Sequence, residues 1–260
     1  VIGSRHKNEG LSRQDQFCVF GGKNPILRSE LNGSDDRKVV QFENVTNSLI
    51  IAVADGLSSA KFSQTGADLA VKAAVNNVDP SDEKTLITGV QEAINAIKSE
   101  AEKNNVDIKE YGTTLAIGLI KDGKCYGIGV GDSYIVAIKD ENVKLISKIT
   151  KGENPNETLP ITSPDLKIEE LKVEECGCDA LVAMTDGIAG TLQTRYDKEN
   201  DTWIFDPYPK FFIPLVRKFV KDMNLDTEQF SSWLLTYIND LEKKYDFLTD
   251  DKTLVIAVQS

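Results

Sequence analysis

Aspartates at the ends of short apolar runs are the residues of this sequence best placed to do chemistry. Three of them come just after an apolar run: Asp55, Asp132 and Asp186. An acidic pair, Asp250 and Asp251, stands just before the last apolar run of the chain. A carboxylate at the edge of an apolar core is costly unless a cation compensates its charge. Because Mg²⁺ and Mn²⁺ prefer oxygen ligands, the pattern indicates a site for divalent metal ions.

Asp-Gly pairs also have a simpler explanation, because they are common in the turns at strand ends. Asp122-Gly123 is predicted to be only such a turn, since it lies between two apolar runs with no acidic residue beside it. Taken alone, Asp55-Gly56 and Asp186-Gly187 are also more often turns than metal ligands. The metal site is therefore favoured by the combination of motifs along the chain.

Several short motifs follow one another in the order known from the protein phosphatase 2C family, and the chain resembles that family from about residue 3 to residue 258. The motifs, in chain order, are Arg13-Gln14-Asp15, Asp55-Gly56 with the residues up to Ala70, Gly112-Thr113-Thr114, Gly131-Asp132-Ser133, Thr185-Asp186-Gly187 and Asp250-Asp251-Lys252-Thr253. The first resembles the Gln-Asp variant of the family's opening Glu-Asp pair in some bacterial-type members. The resemblance implies a metal-dependent serine/threonine protein phosphatase.

The resemblance also implies roles for individual residues at a centre of two Mg²⁺ or Mn²⁺ ions. Asp55 would bridge the two ions, and Asp186 and Asp250 would complete the protein ligands of the first. The second ion would bind the Gly56 carbonyl and Gln14. These residues are expected to meet at one end of the fold.

Two further aspartates have implied roles in the same centre. Asp132 would help to hold a weaker third ion, and Asp15 would position the attacking water. Phosphate monoesters hydrolyse extremely slowly unaided, and two adjacent cations would lower the pKa of water and neutralise the phosphoryl oxygens. The sequence has neither a Cys-x₅-Arg loop nor an Asp-x-Asp-x-Thr run, which argues against phosphatases that form a phospho-enzyme.

The chain departs from the family pattern where a proton donor and a phosphate ligand are expected. Leu57 stands where many members carry a histidine. Water held by the metals, or else His6, the only histidine, would then protonate the leaving oxygen; His6 has the alternative of being a surface residue. Gly10 stands at the family's phosphate-binding arginine. Arg5 and Arg13 remain open candidates for that role, with solvated surface charges as the alternative.

Two more departures concern the metal ions. Gln14 replaces the usual Glu, and because an amide oxygen is a neutral ligand, we expect a loosely held second ion. Gly190 stands where many relatives have a further Asp, which weakens the case for a third ion.

The elements that must position these residues are a mixture of strands and helices. Strands are predicted for Gln16–Phe20, Ser48–Ala54, Thr113–Ile120, Lys124–Val130, Ser133–Lys139, Val143–Ile149, Ala180–Met184 and Thr253–Val258. Helices are predicted for Ser63–Val78, for a segment that Asp79 caps and Pro80 begins, and for two amphipathic stretches around Phe211–Phe219 and Phe230–Leu241. Loops are predicted for Gly21–Asn47, for Lys151–Pro164 and for Leu192–Pro209, the last two as candidates for substrate selection.

This mixture indicates α+β layers. The family resemblance makes the expectation specific: a four-layer αββα sandwich with two central antiparallel sheets flanked by helices. We expect one phosphatase-like domain over residues 1–260, with the metal centre at one end of the sandwich.

Composition limits the partners of the chain. Its 260 residues carry a formal net charge of −11, which makes nucleic acid an unfavourable partner. No apolar run approaches the ~18 residues of a membrane helix, so we expect a cytoplasmic protein with no membrane partner. The family resemblance implies phosphorylated proteins as substrates. A zinc site is not expected, and the four cysteines are predicted to be reduced, partly buried thiols: Cys18, Cys125, Cys176 and Cys178.

Two other hypotheses remain beside an active phosphatase. The departures at Leu57, Gln14 and Gly190 would fit a catalytically inactive relative that binds a partner, and a structural metal-binding domain is the third possibility. Retention of Asp55, Asp186 and Asp250 favours catalysis, because a pure binding module has no need of clustered negative charge.

Overall fold

The structure is a computed structural model and describes residues 14–21, 26–27, 48–150, 158–188, 191–222, 227–244 and 251–258. Six residues that the sequence motifs single out lie outside these ranges: Arg5, His6, Gly10, Arg13, Gly190 and Asp250. In the part of the chain that the structure describes, no helix has the length and apolar character needed to cross a membrane.

The described elements alternate between strands and helices along the chain. The strands are β1 (Gln16–Phe20), β2 (Ile26–Leu27), β3 (Ser48–Ala54), β4 (Leu115–Lys121), β5 (Lys124–Val130), β6 (Tyr134–Lys139), β7 (Asn142–Leu145), β8 (Glu174–Gly177), β9 (Ala180–Met184), β10 (Leu192–Asp197), β11 (Thr202–Pro207) and β12 (Leu254–Val258). The helices are α1 (Ser63–Asn76), α2 (Thr85–Asn104), α3 (Pro209–Asp222) and α4 (Thr227–Lys244), and 3₁₀ turns occur at Ile108–Tyr111 and Ile168–Glu170.

Two antiparallel sheets organise the molecule. The first has the order β2-β1-β3-β4-β5-β8, and the second has the order β12-β9-β6-β7. Asp122 and Gly123 join β4 to β5 with φ of 49° and 75°, as a two-residue hairpin turn with positive φ at both positions requires. The prediction that this Asp-Gly pair is only a turn is confirmed.

Three buried clusters show that the sheets and helices form four layers. Side chains of β3 and β4 meet side chains of β6 and β9 in an apolar core between the two sheets. The outer face of the first sheet packs on α1 and α2. The outer face of the second sheet packs on α3 and α4. The αββα sandwich expected from the sequence is therefore the observed fold.

Helix α2 begins at Thr85, so the predicted start at Asp79 and Pro80 is wrong. The Asp79 carboxylate accepts a hydrogen bond from the Ser81 main-chain N–H at 2.8 Å, and the Asp79 N–H donates to Thr85 Oγ1 at 2.9 Å. These bonds close a turn ahead of the helix. An Asx turn and a helix cap use the same residue types, which explains the error.

Strand β7 is shorter than predicted, because it ends at Leu145 instead of continuing to Ile149. Beyond that point the Ser147 hydroxyl accepts a hydrogen bond from the Ile135 N–H at 2.7 Å. A side chain therefore takes the place of the main-chain carbonyl that would have continued the ladder.

Residues 192–207 form the hairpin β10–β11 instead of the predicted loop. Tyr196 and Trp203 face each other across the strands with ring centroids 5.2 Å apart. Most side chains of β10 are exposed, so the strand lacks the alternation of buried and exposed residues that identifies strands in a sequence.

Two cysteines depart from the prediction of four reduced thiols. Cys125 and Cys178 form a disulfide with a Cα–Cα distance of 5.7 Å, while Cys18 and Cys176 remain thiols. Cys125 lies opposite Cys176 in the register of β5 and β8, and Cys178 comes just after β8. Because β8 was not predicted, the approach of these residues could not be anticipated.

Candidate functional site

The first sheet brings two of the predicted aspartates together at one edge. In an antiparallel pair, the start of one strand lies beside the end of its neighbour. Gln16, at the start of β1, is paired with Ala54, at the end of β3. Asp15 therefore enters the sheet where Asp55 leaves it, and the two side chains lie within hydrogen-bonding reach.

The second sheet delivers further aspartates at the same end of the sandwich. Met184, at the end of β9, is paired with Tyr134 at the start of β6 and with Leu254 at the start of β12. Asp186 follows β9 and Asp251 precedes β12. Asp132 stands between the end of β5 and the start of β6. The acidic segments, distant in sequence, thus share one rim of the fold.

Asp55 is fixed by the Gly-Thr-Thr segment beside it. Its main-chain N–H donates to Thr114 Oγ1 at 2.9 Å, and its carbonyl accepts from Thr113 Oγ1 and from the Thr114 N–H, both at 2.8 Å. Gly56 then forms a single bridge with Thr113. The main chain of Asp55 is held on both sides, which fixes the point from which its carboxylate leaves the sheet.

A hydroxyl group links the two sheets at the rim. Thr185 Oγ1 donates to Asp15 Oδ2 at 2.7 Å and accepts from the Thr253 N–H at 3.0 Å. Asp251 Oδ2 accepts from the Gln14 N–H at 2.6 Å. Asp15 and Asp251 therefore connect the start of β1 with the end of β9 and the start of β12.

The electrostatics of this link fit a bound cation. Asp15 and Asp251 are buried, with 0% and 2% of their surfaces exposed. Burial raises the pKa of Asp15, and the negative charge of Asp251 raises it further, while the hydrogen bond from Thr185 acts in the opposite direction. A divalent cation beside these carboxylates would relieve the cost of burying like charges, and oxygen donors are what hard cations prefer.

Asp186 lies at the exposed side of the rim, next to a buried tyrosine. The Tyr134 hydroxyl shares a hydrogen bond of 2.6 Å with Thr191 Oγ1. Burial raises the pKa of Tyr134, the bond to Thr191 acts against this, and the charge of Asp186 raises it again. The Asp186 carboxylate is therefore close enough for its charge to affect the pKa of Tyr134.

Asp132 is nearly buried, with 9% of its surface exposed, and its Oδ2 accepts a hydrogen bond from the Thr158 hydroxyl. Gly131, just before it, has a φ of +89°, a conformation that residues with a side chain rarely adopt. Ser133, just after it, shares a hydrogen bond of 2.6 Å with Thr114. Asp132 is thus tied to the threonine that holds Asp55.

The structure brings together only part of the predicted ligand set. Asp15, Asp55, Asp132, Asp186 and Asp251 lie at one end of the sandwich, whereas Asp250 is outside the described residues. Within the described ranges, no group of three or more His, Cys, Asp or Glu side chains is arranged to hold one metal ion. The ligand set of the metal centre therefore stays a prediction.

The candidate phosphate-binding residues Arg5 and Arg13 and the candidate proton donor His6 lie outside the described residues. Gln14 contributes its main-chain N–H to the site. Thr185 and the Thr114–Ser133 hydroxyl pair had no predicted role in the site. Their position inside the predicted motifs was the available signal.

Comparisons with known proteins support the family that the sequence motifs resemble. The family model described as protein phosphatase 2C matches residues 26–235. No curated protein sequence matches the chain.

Several solved phosphatase structures have a similar fold. A serine-threonine phosphatase 2C from Toxoplasma gondii has a TM-score of 0.58 at 13% identity, covering 98% of this chain and 91% of its own. Serine/threonine phosphatase Stp1 from Staphylococcus aureus has a TM-score of 0.51 at 17% identity, covering 96% of each chain. The catalytic domain of PstP, a phosphatase of Mycobacterium tuberculosis, was solved in complex with two manganese ions; it has a TM-score of 0.54 at 13% identity, covering 94% of this chain and 97% of its own.

At these identities the solved structures support the fold alone, whereas the family model matches most of the chain. The motifs, the two-sheet sandwich and the acidic rim agree with that match. The chain belongs to the protein phosphatase 2C family.

Proposed function

We propose that this chain is a metal-dependent phosphatase that hydrolyses phosphoserine and phosphothreonine monoesters in proteins, acting as a single domain. The proposal is supported mainly by Asp15, which lies beside both Asp55 and Asp251 at the rim of a protein phosphatase 2C sandwich. These carboxylates come from three distant parts of the chain. A fold that buries like charges together has a reason to do so when a cation is to bind there.

The proposed metal centre takes two Mg²⁺ or Mn²⁺ ions, as the manganese complex of PstP suggests by analogy. Asp55, Asp186 and Asp250 would hold the first ion, and Asp55, the Gly56 carbonyl and Gln14 the second. When bound, such ions lower the pKa of water between them and neutralise the charge of the phosphoryl oxygens.

The residues of the chain itself supply position and proton control. Thr113 and Thr114 hold the main chain of Asp55, so its carboxylate keeps one direction when an ion binds. Asp15 is buried beside Asp55, where it would accept a hydrogen bond from the attacking water and orient it. Orientation of the nucleophile raises the reaction rate, because the rotational freedom of the water is removed before the reaction.

The remaining steps fall to groups near the N-terminus or to solvent. Arg5 or Arg13 would bind the phosphate, since a guanidinium matches two phosphoryl oxygens at once. His6 or water would give a proton to the leaving serine or threonine oxygen. The family match implies phosphorylated proteins as the partners of the chain. The formal net charge of −11 opposes binding to nucleic acid.

Hydrolysis of p-nitrophenyl phosphate by the wild type and by Asp55→Asn tests the proposal. We expect turnover with Mn²⁺ or Mg²⁺ and none with EDTA. Asp55→Asn should be slower by roughly a thousandfold, since the metal ions supply several kcal/mol of transition-state stabilisation. Asp122→Asn is the matched control, because Asp122 belongs to a turn at the other end of β4 and should behave as wild type.

Two results would decide against the proposal. Turnover that is equal in EDTA and in Mn²⁺ would exclude a metal-dependent reaction. Metal binding without any turnover would favour the hypothesis of a catalytically inactive relative. The replacement of the family's histidine by Leu57 is one reason for that hypothesis.

A further inference from the structure

A cavity of about 360 Å³ begins at Leu57, two residues beyond Asp55. Its walls come from three parts of the chain: Leu57 and Ser59 after β3, Lys109 and Glu110 in the 3₁₀ turn, and the segment from Pro160 to Pro164. Its volume lies at the lower end of the ~300–1,000 Å³ found for ligand pockets. The cavity is therefore large enough for one side chain of a bound protein segment.

The cavity has a defined position relative to Asp55. The chain continues from Asp55 through Gly56 to Leu57 in extended form, since Gly56 bridges Thr113 and the Leu57 N–H donates to the Gly112 carbonyl at 2.9 Å. Two extended residues span about 7 Å. A peptide whose phosphoresidue lies at Asp55 would thus bring the side chain about two residues away to the cavity.

One wall of the cavity is anchored to the site. The Thr158 hydroxyl donates to Asp132, and the Ile161 N–H donates to the Thr113 carbonyl at 2.9 Å. The Ile161 side chain is buried in the core under the first sheet. The wall from Pro160 to Pro164 is therefore held in a fixed position relative to Asp132 and Thr113.

The lining of the cavity combines apolar surface with uncharged hydroxyl groups and two charges. Leu57, Pro160 and Pro164 offer the apolar surface, and Ser59, Thr162 and Ser163 carry the hydroxyl groups. Lys109 Nζ lies 3.4 Å from Asp107 Oδ2, and Glu110 Oε2 accepts from the Lys61 N–H at 3.2 Å, so both charges already have partners in the protein. A charged side chain entering the cavity would lose hydration without gaining a dedicated counter-charge.

We propose that this cavity is a specificity subsite that takes an apolar side chain about two residues from the phosphoserine or phosphothreonine of a substrate protein. The inference rests on the proposed phosphatase activity. It gives Leu57 a role in substrate binding at the position where many family members carry a histidine.

Synthetic phosphoserine peptides test the subsite. The peptides are identical except for one residue, which is Leu, Ala or Asp and lies two positions before or two positions after the phosphoserine. The control substrate is p-nitrophenyl phosphate, which has no flanking residues and therefore measures the hydrolysis step without the subsite. For one of the two positions we expect kcat/KM to be about tenfold higher with Leu than with Ala, mainly through KM, and lowest with Asp.

Ser59→Phe and Ser58→Phe form a matched pair of variants. Both serines are exposed and adjacent, but only Ser59 lines the cavity. Ser59→Phe fills the cavity and should abolish the preference for Leu, whereas Ser58→Phe should keep it. Thr158→Val, which loosens the wall, should weaken the preference, and Thr158→Ser should restore it.

The outcomes separate the two proposals. Turnover of p-nitrophenyl phosphate together with equal kcat/KM for all peptides, or an unchanged preference in Ser59→Phe, would overturn the subsite alone. Absence of turnover with every substrate would overturn the phosphatase activity and the subsite with it.

Discussion

Hydroxyl groups, at the scale of single residues, hold the carboxylates of the site in place. Thr113 and Thr114 bind the main chain of Asp55, and Thr185 binds the carboxylate of Asp15. A threonine hydroxyl can donate to a carboxylate while accepting from a main-chain N–H, as Thr185 does. These residues carry no charge, yet they decide where the charged groups lie.

Thr185→Val should destabilise the metal-free protein. The change keeps the shape of the side chain but leaves the Asp15 carboxylate and the Thr253 N–H without their buried partner. An unsatisfied buried polar group costs about 1–3 kcal/mol, more when it is charged. Urea unfolding in EDTA measures this loss as a lower free energy of unfolding.

Thr194→Val is the control for Thr185→Val, because Thr194 is exposed on β10. Surface substitutions of this kind change stability by no more than about 0.5 kcal/mol. Equal unfolding curves for the two variants would show that the hydroxyl of Thr185 does not support the rim.

Sequence patterns at this scale identified the charged residues better than their supports. Asp55, Asp132 and Asp186 stand at the ends of apolar runs and within recognisable motifs, so they could be predicted. The contact between Thr185 and Asp15 joins residues 170 positions apart, and only the packing of the two sheets creates it. Asp251 was seen only as the neighbour of Asp250, although its carboxylate receives the Gln14 N–H.

Strand ends, at the scale of elements, determine which residues share the rim. The end of β9 lies against the start of β12, and a Cβ added to Gly187 would overlap the main-chain oxygen of Asp251. The close approach of these two backbones needs a glycine at this position.

Gly187→Ala should therefore push the start of β12 away from the end of β9. We expect the free energy of unfolding to fall by about 1–3 kcal/mol, as for overpacking in a core, and Mn²⁺ binding to weaken. Thermal unfolding and isothermal titration with Mn²⁺ measure the two effects.

Gly177→Ala provides the comparison for Gly187→Ala, because an added Cβ there comes closest to the flexible side chain of Lys139 and lies 3.9 Å from the Gly123 main-chain oxygen, an ordinary contact distance. It should change neither stability nor Mn²⁺ affinity noticeably. If Gly187→Ala is tolerated equally well, the start of β12 is not held against the end of β9 as described.

Element prediction succeeded where a strand is a buried apolar run and failed where the side chains are mostly exposed. Strands β1, β3, β5 and β9 have the predicted bounds, because buried apolar runs define them. Hairpin β10–β11 was missed, since its side chains are mostly exposed. The start of α2 was misplaced because Asp79 forms an Asx turn with the residue types of a helix cap.

The sandwich of two sheets is the feature of the whole molecule that creates the site. Asp15 and Asp55 belong to the first sheet, Asp186 and Asp251 to the second, and the apolar core between the sheets brings the two pairs to one end. The Cys125–Cys178 disulfide lies in the same core, where the chain passes from β8 in the first sheet to β9 in the second.

Reduction of this disulfide should destabilise the sandwich without changing its architecture. The bond closes a segment of 53 residues, and such cross-links stabilise proteins by about 2–4 kcal/mol. Urea unfolding with and without a phosphine reductant measures the difference. The double variant Cys125→Ala/Cys178→Ala should show no further response to the reductant.

Thiol titration of the denatured, non-reduced protein gives an independent check of the disulfide. Cys18 and Cys176 should react, and the other two cysteines should not. Four reactive thiols would contradict the disulfide and support the expectation drawn from the sequence. That expectation rested on composition, which contains no information about the approach of Cys125 to Cys178.

The most direct measurement is the anomalous scattering of manganese in crystals grown with Mn²⁺. Two peaks should lie at the rim, both in contact with the Asp55 carboxylate, with Asp186 and Asp250 at the first ion, and both should be lost in Asp55→Asn. A map without manganese at the rim, or with these three carboxylates in separate solvent regions, would contradict the metal centre.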